Sequence, residues 1–261
     1  ENVFGLIEKI KSNPNVEYVE PNYIYSINDY EIASEITYDD PLYEPNNELG
    51  LATPDDPLYS TQSNIVSTNI DDVWTDYNTG DGTQVIAIID TGVDYTHPDL
   101  AANIWINTAE QNGVEGFDDD GNGFIDDIRG WDFINNDNAP LDDNMHGTHV
   151  AGIAGAVGNN GLGISGAAWN VKLMPIKVFQ SSGRGNSADI AKAVEYATGN
   201  GATIQNMSFG SYAQSSTLKA ALDLAYASSL LVAAAGNDGV CIGPGPFCAP
   251  FFPAAYTYVL G

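Results

Sequence analysis

Four short apolar runs constrain the fold of this chain more than any other feature. Runs of this length, rich in Val, Ile, Leu and Ala, are typical of strands that are buried on both faces of a sheet. The candidate strands are residues 84–90, 171–178, 203–207 and 229–235, and stretches with helical character lie at residues 146–157, 187–199 and 216–228. Because strands and helices alternate, we expect an α/β fold, a doubly wound parallel sheet with helices on both faces.

Three polar residues stand where such a fold places its chemistry. Asp90 closes the first strand, and Asn237 follows the last one. His146 stands where a loop enters a helix, because the residues after it are small and then apolar. Open α/β sheets bind their ligands beyond the carboxyl ends of the strands, so these side chains are expected to converge. An acid, a base and an amide donor are three of the four parts of a serine hydrolase.

The motifs that contain these residues resemble those of the subtilisin-like serine proteases, or subtilases. They are residues 90–94 (DTGVD), 97–100 (HPDL), 146–152 (HGTHVAG), 206–210 (NMSFG) and 234–237 (AAGN). They occur in the order of the family and at its approximate spacing, from about Asp55 to the last residue. The resemblance implies a serine endopeptidase that cleaves protein substrates through an acyl-enzyme.

Each of the three candidate catalytic residues has a simpler alternative role. Asp90 orients the histidine, or alternatively caps the turn that follows it. His146 is the general base, and pairing it with His149 as zinc ligands is disfavoured because their spacing lacks the glutamate of the zincin motif. Asn237 donates its amide to the developing oxyanion, or alternatively serves as the Asn of a Gly-Asn-Asp-Gly turn.

The resemblance also implies how a peptide binds, as an added antiparallel strand between two edges. Ser208, Phe209 and Gly210 form one edge and one wall of the pocket. Ala234, Ala235 and Gly236 form the other wall, and the opposite edge contains Gly183 and Gly185. Arg184 and Asp238 either tune the preference of the subsites or are solvated surface residues.

The nucleophile of the family is missing from these 261 residues. It belongs to a Gly-Thr-Ser-Met-Ala motif roughly 60 residues beyond Asn237 by the spacing of the family, and Ser208 does not replace it because it belongs to the peptide edge. We therefore expect residues 54–261 to be the first two-thirds of a catalytic domain whose serine lies further on. These residues alone are expected to be inactive, whereas the full-length protein is an enzyme.

The first residues have a character of their own. The spacing of apolar residues predicts a helix over residues 3–11, and alternation predicts a strand over residues 16–20. Residues 1–28 resemble the C-terminal half of the subtilase propeptide, an intramolecular inhibitor; the alternative is a small decoration of the catalytic domain. Residues 29–53 are acidic and aperiodic, which is typical of a linker that holds the processing site. The chain starts at Glu1 without a signal-like segment, so we interpret it as a fragment or a processed form.

An acidic loop has the spacing of a calcium site. Its expected ligands are Asp118, Asp120, Asn122, the carbonyl of Phe124, and Asp126. Arg129 replaces the last glutamate of an EF-hand, so this is a simple loop; the alternative is a solvated acidic loop. The resemblance implies a second calcium site at Asp56, Asp99, Asn160, Leu162 and Ile164. There the choice of Asn160 over Asn159 depends on the length of the loop.

Composition limits the partners. Thirty-five acidic residues against eight basic residues give a formal charge of −27. This charge disfavours binding to nucleic acid and to anionic membranes and suits the binding of divalent cations. The alternative is that it reflects adaptation of the surface to a saline or cold habitat. Cys241 and Cys248 bracket a Gly/Pro loop, which favours a local disulfide and secretion over two free thiols in the cytosol. We expect a monomer.

Two other classes of protein compete with the enzyme. One is a calcium-binding or protein-binding module that keeps the fold without a nucleophile. The other is a nucleotide-binding protein, which is disfavoured because Asp90-Thr91-Gly92 occupies the turn where a glycine-rich phosphate loop would stand.

Overall fold

The computed structural model describes residues 3–14, 16–27, 53–238 and 249–261. Its helices are α1 (Val3–Lys11), α2 (Ser63–Thr68), α3 (Ile70–Asp76), α4 (Thr108–Asn112), α5 (His146–Gly155), α6 (Ser187–Gly199) and α7 (Ser216–Ala225). Its strands are β1 (Ile24–Ser26), β2 (Val85–Asp90), β3 (Trp131–Asp132), β4 (Lys172–Lys177), β5 (Arg184–Asn186), β6 (Ile204–Met207) and β7 (Leu230–Ala233). Among the described residues, no helix has the length and apolar character needed to cross a membrane.

A five-stranded parallel sheet forms the centre of the molecule, in the order β3-β4-β2-β6-β7. The four predicted strands supply four of its members, within one or two residues of the predicted bounds. The two-residue strand β3 was not predicted because it is too short to show a period. The central place of β2, between β4 and β6, puts its last residue, Asp90, in the middle of the carboxyl edge. The predicted α/β fold is confirmed.

Alternate residues of β2 belong to different cores. Ala87 and Ile89 pack with residues of α6 and α7, whereas Ile86 and Ile88 pack with α5. Because consecutive side chains of a strand point to opposite faces, helices cover both faces of the sheet. The sheet is therefore buried on both sides, as its continuous apolar sequence indicates.

The N-terminal unit agrees with the prediction only in part. The helix α1 is present, but the strand predicted over residues 16–20 is wrong, because no strand occurs there. The strand is β1 instead, which pairs antiparallel with β5 so that Tyr25 lies opposite Gly185. Alternation alone does not make a strand, which also needs an edge to pair with. The expected linker lies outside the described residues apart from residue 53, and so do Cys241 and Cys248.

Candidate active site

A buried acid and a histidine form a close pair at the carboxyl edge of the sheet. Asp90, the last residue of β2, is fully buried, and His146 is the first residue of α5. His146 Nδ1 lies 2.7 Å from Asp90 Oδ1. An ionised carboxylate accepts only, so Nδ1 carries the proton and donates it to Asp90, and Nε2 is the unprotonated nitrogen of the neutral ring. Burial raises the pKa of Asp90, and the hydrogen bond from His146 opposes that rise.

Asp142 ties the start of α5 to the end of β2. It accepts from the Thr91 hydroxyl at 2.8 Å and from the backbone N–H and hydroxyl of Thr148 at 2.9 and 2.6 Å. Thr91 Oγ1 in turn accepts from Gly147 N at 2.9 Å. Burial alone would raise the pKa of Asp142, but these hydroxyl and backbone donors outweigh it and hold that pKa below its usual value. Asp142 thus remains ionised and fixes the histidine relative to the acid.

The approach of α5 to the turn after β2 requires a glycine. A Cβ added at Gly147 would lie 2.0 Å from the carbonyl oxygen of Gly92. A backbone oxygen at that distance leaves no room for any side chain. The residue after His146 must therefore be glycine if the imidazole is to reach Asp90.

His146 and Asn237 line the same cavity, which has a volume of about 270 Å³. Ser208 and Phe209 form another part of its wall, together with Ala234. Residues at the ends of β6 and β7 therefore line one cleft with His146, which is bonded to the last residue of β2, as the strand-end argument predicts. A base and an amide donor facing one cavity beside a buried acid are suited to acyl transfer.

The other expected peptide-binding residues do not line this cavity. Gly210 and Gly183 pair with the N-terminal segment through their backbones. Gly185 lies on β5, where a Cβ would come 2.3 Å from the carbonyl oxygen of Val178. Ala235 is exposed, and Gly236 has φ +94°, so these two residues form the turn between Ala234 and Asn237.

The segment that contains β1 lies between the two expected peptide edges. Ser26 and Gly210 exchange two backbone hydrogen bonds, with Ser26 N donating at 3.3 Å and Gly210 N at 3.1 Å. Ile27 N donates to the carbonyl of Gly183 at 3.1 Å. Tyr25 is fully buried, with its ring 6.1 Å from that of Phe209. This segment is an added antiparallel strand of the kind predicted for a bound peptide.

Two residues before β1 satisfy the N-termini of two helices. Glu20 accepts from Ser216 N, Thr217 N and the Ser215 hydroxyl at the start of α7. Asn22 Oδ1 accepts from Ala188 N at 3.0 Å at the start of α6. Burial alone would raise the pKa of Glu20, but the hydrogen bonds from Thr217, Ser216 and Ser215 outweigh it and lower that pKa. The segment is thus held at its upstream end as well as in the cleft.

The acidic loop gathers carboxylates that overlap in part with the predicted set. Oxygen atoms of Asp118, Asp120 and Glu110 lie within 4.8 Å of one another. Glu110, from α4, was missed because it comes from an element outside the loop. Asp126 is not part of this group, and its Oδ2 accepts from Gly116 N at 2.8 Å. Hard oxygen donors that crowd in this way fit Ca²⁺.

Asn122 and Phe124, the other two expected ligands of the acidic loop, have different surroundings. The Asn122 side chain lies among the acids and donates to Asp120 at 3.2 Å and to Asp127 at 3.0 Å. The Phe124 ring packs on that of Tyr196, 4.8 Å away, and anchors the loop on α6. The loop is therefore attached to the body of the domain by an aromatic contact next to its acids.

The residues of the second expected calcium site also come together. Asp56 Oδ1 accepts from Asn160 N at 3.0 Å, and Asp99 Oδ1 accepts from Asn160 Nδ2 at 2.9 Å. Ile164 N donates to Asp99 Oδ2 at 3.0 Å, and Leu162 N donates to Asn160 Oδ1 at 2.8 Å. The structure therefore brings Asn160 to both acids.

The comparisons with known proteins agree with this geometry. The family model described as the subtilase family (peptidase S8) matches residues 81–260. The chain is 35% identical to the thermophilic serine proteinase of Bacillus sp. (strain AK1) over 99% of its length, covering 52% of that protein. It is 36% identical to thermitase of Thermoactinomyces vulgaris over 78% of its length, covering 63% of that protein. It is 47% identical to subtilisin-like protease 1 of Plasmodium falciparum (isolate 3D7) over 48% of its length, covering 18% of that protein. The chain thus spans about half the length of the first of these relatives, and less than two thirds of each.

Proposed function

Because the chain belongs to the subtilase family, we propose that it supplies the acid, the base and the oxyanion donor of a serine endopeptidase. The observation that carries this proposal is the Asp90–His146 pair, with a separation of 2.7 Å between Oδ1 and Nδ1. Asn237 lines the same cavity as the imidazole and is the amide that the proposal assigns to the oxyanion.

In the proposed mechanism of acylation, His146 acts first as a base and then as an acid. His146 Nε2 takes the proton of the serine hydroxyl as its oxygen forms a bond to the scissile carbonyl carbon. Asp90 stabilises the imidazolium and keeps its orientation. The Asn237 amide donates to the oxyanion while it exists. His146 then gives the proton to the leaving amine as the C–N bond breaks, and water completes deacylation by the same path.

We propose that the nucleophile is a serine of the protein outside residues 1–261. Ser208 lines the cavity, but its Oγ accepts from Asn206 Nδ2 at 2.9 Å, and it lies on the edge that pairs with a peptide. The test is to treat the full-length protein with a serine-directed phosphonate, assay it on casein, and map the labelled residue by mass spectrometry. Labelling of a serine outside these residues, with loss of activity, supports the proposal.

The same experiment separates the enzyme from its competitor. An unlabelled full-length protein that binds calcium and does not cleave casein is the non-catalytic module. Labelling at Ser208 overturns the assignment of this residue to the peptide edge.

We also propose that residues 1–28 are part of an inhibitory propeptide. The support is the antiparallel pairing of Ser26 with Gly210, the Ile27–Gly183 bond and the burial of Tyr25, which together fill the place of a peptide substrate. A bound substrate in this register places the third residue after its aromatic residue opposite Ser208, beside His146 and Asn237. The proposed substrates are therefore extended segments of proteins that carry an aromatic residue three positions before the residue opposite Ser208.

Replacing Glu20 by glutamine is expected to loosen the inhibitory segment. The change removes a charged cap from α7, which costs about 1 kcal/mol and corresponds to about fivefold in affinity. The measurement is the apparent Kd of a fluorescent peptide inhibitor for the full-length precursor. The inhibitor must displace the segment in order to bind. This Kd is expected to fall about fivefold.

The pH dependence of that effect has a definite sign. The pKa of Glu20 is lowered in the docked state, so its contribution is present above the pKa of a free glutamate, about 4.3, and is lost as the pH falls. Wild type and Glu20→Gln are therefore expected to converge once the pH falls below the lowered pKa of the docked glutamate. The control is Glu17→Gln, which removes an exposed carboxylate of the same segment. Equal effects of the two changes would contradict the capping role of Glu20.

We propose that the acidic loop binds Ca²⁺ through Asp118, Asp120, Glu110 and the Asn122 amide, and that Asp56, Asp99 and the loop at Asn160 form a second calcium site. The donors are carboxylate and amide oxygens, which fit this ion. Bound calcium would neutralise the acids that otherwise repel one another. We further propose that the protein is secreted and that it is a monomer. The spacing of Cys241 and Cys248 supports a local disulfide, and disulfides are typical of secreted proteins.

Removing calcium is expected to destabilise the protein. At a calcium concentration 100 times the Kd, binding contributes about 2.7 kcal/mol to the free energy of unfolding. The thermal midpoint is therefore expected to fall on addition of a chelator, and Asp118→Asn with Asp120→Asn is expected to remove the part of that difference that comes from the acidic loop. The control is Asp76→Asn, an exposed acid in α3. Titration calorimetry that gives the same number of bound ions in all variants would contradict this site.

A further inference from the structure

A buried lysine lies beside the catalytic acid and has no role in the mechanism above. Lys177 is the last residue of β4 and lies opposite Asp90 in the register of the sheet. Its side chain is only 2% exposed. A buried ammonium is costly unless it is paired and hydrogen-bonded, so its partners indicate why it is there.

The ammonium uses all three of its donors. Lys177 Nζ donates to the carbonyl of Thr91 at 2.7 Å, to the carbonyl of Phe179 at 2.9 Å and to Asp143 Oδ1 at 2.6 Å. The Asp143 side chain is 53% exposed, so the pair joins the interior to the surface. One side chain therefore holds three separate loops together.

Each of these loops carries a different part of the site. Thr91 follows the catalytic acid, and its hydroxyl accepts from Gly147 N beside the histidine. Phe179 packs on Phe209 with 4.9 Å between ring centroids, and Phe209 lines the cavity that contains His146. Asp143 belongs to the segment that leads into α5. The lysine thus links the Asp90–His146 pair to the peptide edge.

We propose that Lys177 is a positioning residue, whose ammonium sets the place of the Asp90–His146 pair relative to the bound peptide and adds a positive charge beside that pair. This inference rests on the proposed protease activity. Titratable groups on the elements packed against the pair are the carboxylate of Asp142, which bonds Thr91 and Thr148, the carboxylate of Asp143, which pairs with Lys177, and the exposed imidazole of His149 on the same helix. Lys177 therefore offsets part of a strongly negative region.

The test compares Lys177→Met with Lys172→Met in the full-length protein. Lys172 is on the same strand and also faces a backbone carbonyl, that of Ala102 at 3.4 Å, but it lies far from the catalytic edge. Lys177→Met is expected to lower kcat about 10- to 100-fold, because a misplacement of about 1 Å costs on that order. KM for an extended peptide is expected to rise, since the Phe179 loop loses its donor. Lys172→Met is expected to change neither.

The pH profile gives a readout that a purely structural role would not change. Loss of a positive charge near His146 favours the imidazolium, so the acid limb of kcat/KM is expected to move to higher pH in Lys177→Met. Asp143→Asn removes a negative charge instead, and it is expected to move the same limb to lower pH. Because Asp143 is half-exposed, this second variant tests the charge even if Lys177→Met does not fold.

The outcomes are distinguishable. Wild-type kcat, KM and acid limb in Lys177→Met overturn the inference, and so does the absence of a shift in Asp143→Asn. A full-length wild type that cleaves nothing overturns the proposed function instead. In that case, titration of the His146 imidazole by NMR in the wild type and Asp143→Asn still tests the charge effect, and equal midpoints overturn it.

Discussion

Replacing His146 by alanine is expected to reduce kcat of the full-length protein by on the order of 10⁶-fold, the loss known for the base of the triad in subtilisin. The imidazole is the group between the buried carboxylate and the cavity, with Nδ1 held 2.7 Å from Asp90 Oδ1. No other described side chain hydrogen-bonds to that acid, so nothing replaces the base. The measurement is kcat on a fluorogenic extended peptide, with phosphonate labelling to count active sites.

The matched control for this change is His149→Ala. His149 lies on the same helix and lines the same cavity, but it is exposed and is not bonded to Asp90. Its replacement is expected to change kcat less than about 10-fold, in the range of a residue that only borders the site. Comparable losses in the two variants would point to a shared structural or metal-binding role and would contradict the assignment of His146 as the base.

The arrangement of the three proposed catalytic residues was predictable from the sequence because it depends on topology. Asp90 and Asn237 each follow an apolar run, and the carboxyl ends of parallel strands lie at one edge. His146 follows a loop and begins a helix whose glycine, Gly147, lets the backbone come close. Local patterns thus locate these residues along the chain, and the parallel sheet brings them together.

The contacts that support the site could not be predicted in this way. Glu110 joins the acidic loop from α4, and Lys177 reaches three loops from one strand end. The pairing of β1 depends on an edge that lies 160 positions later in the chain, as the register between Tyr25 and Gly185 shows. Such contacts leave no periodic pattern and no compositional signal in the sequence, because each depends on how distant elements pack.

The same distinction explains the misplaced N-terminal strand. Residues 16–20 alternate in polarity, but they pair with no strand. Ile24–Ser26 pairs on both sides, with β5 and with Gly210, and buries Tyr25 between them. Backbone pairing and one buried aromatic ring outweigh an alternating pattern, since a strand without an edge leaves its polar groups to water.

Replacing Asn237 by alanine is expected to lower kcat by about 10²- to 10³-fold with little change in KM, the range known for the oxyanion amide of subtilisin. Asn237 shares the cavity with His146, and its amide is needed only while the carbonyl oxygen carries charge. The measurement is steady-state kinetics on an extended peptide in the full-length protein. Asp238→Asn is the control, since this neighbour is exposed and its carboxylate accepts from the Tyr212 hydroxyl instead of facing the cavity. A rise in KM at constant kcat would assign Asn237 to ground-state binding and leave the oxyanion to another donor.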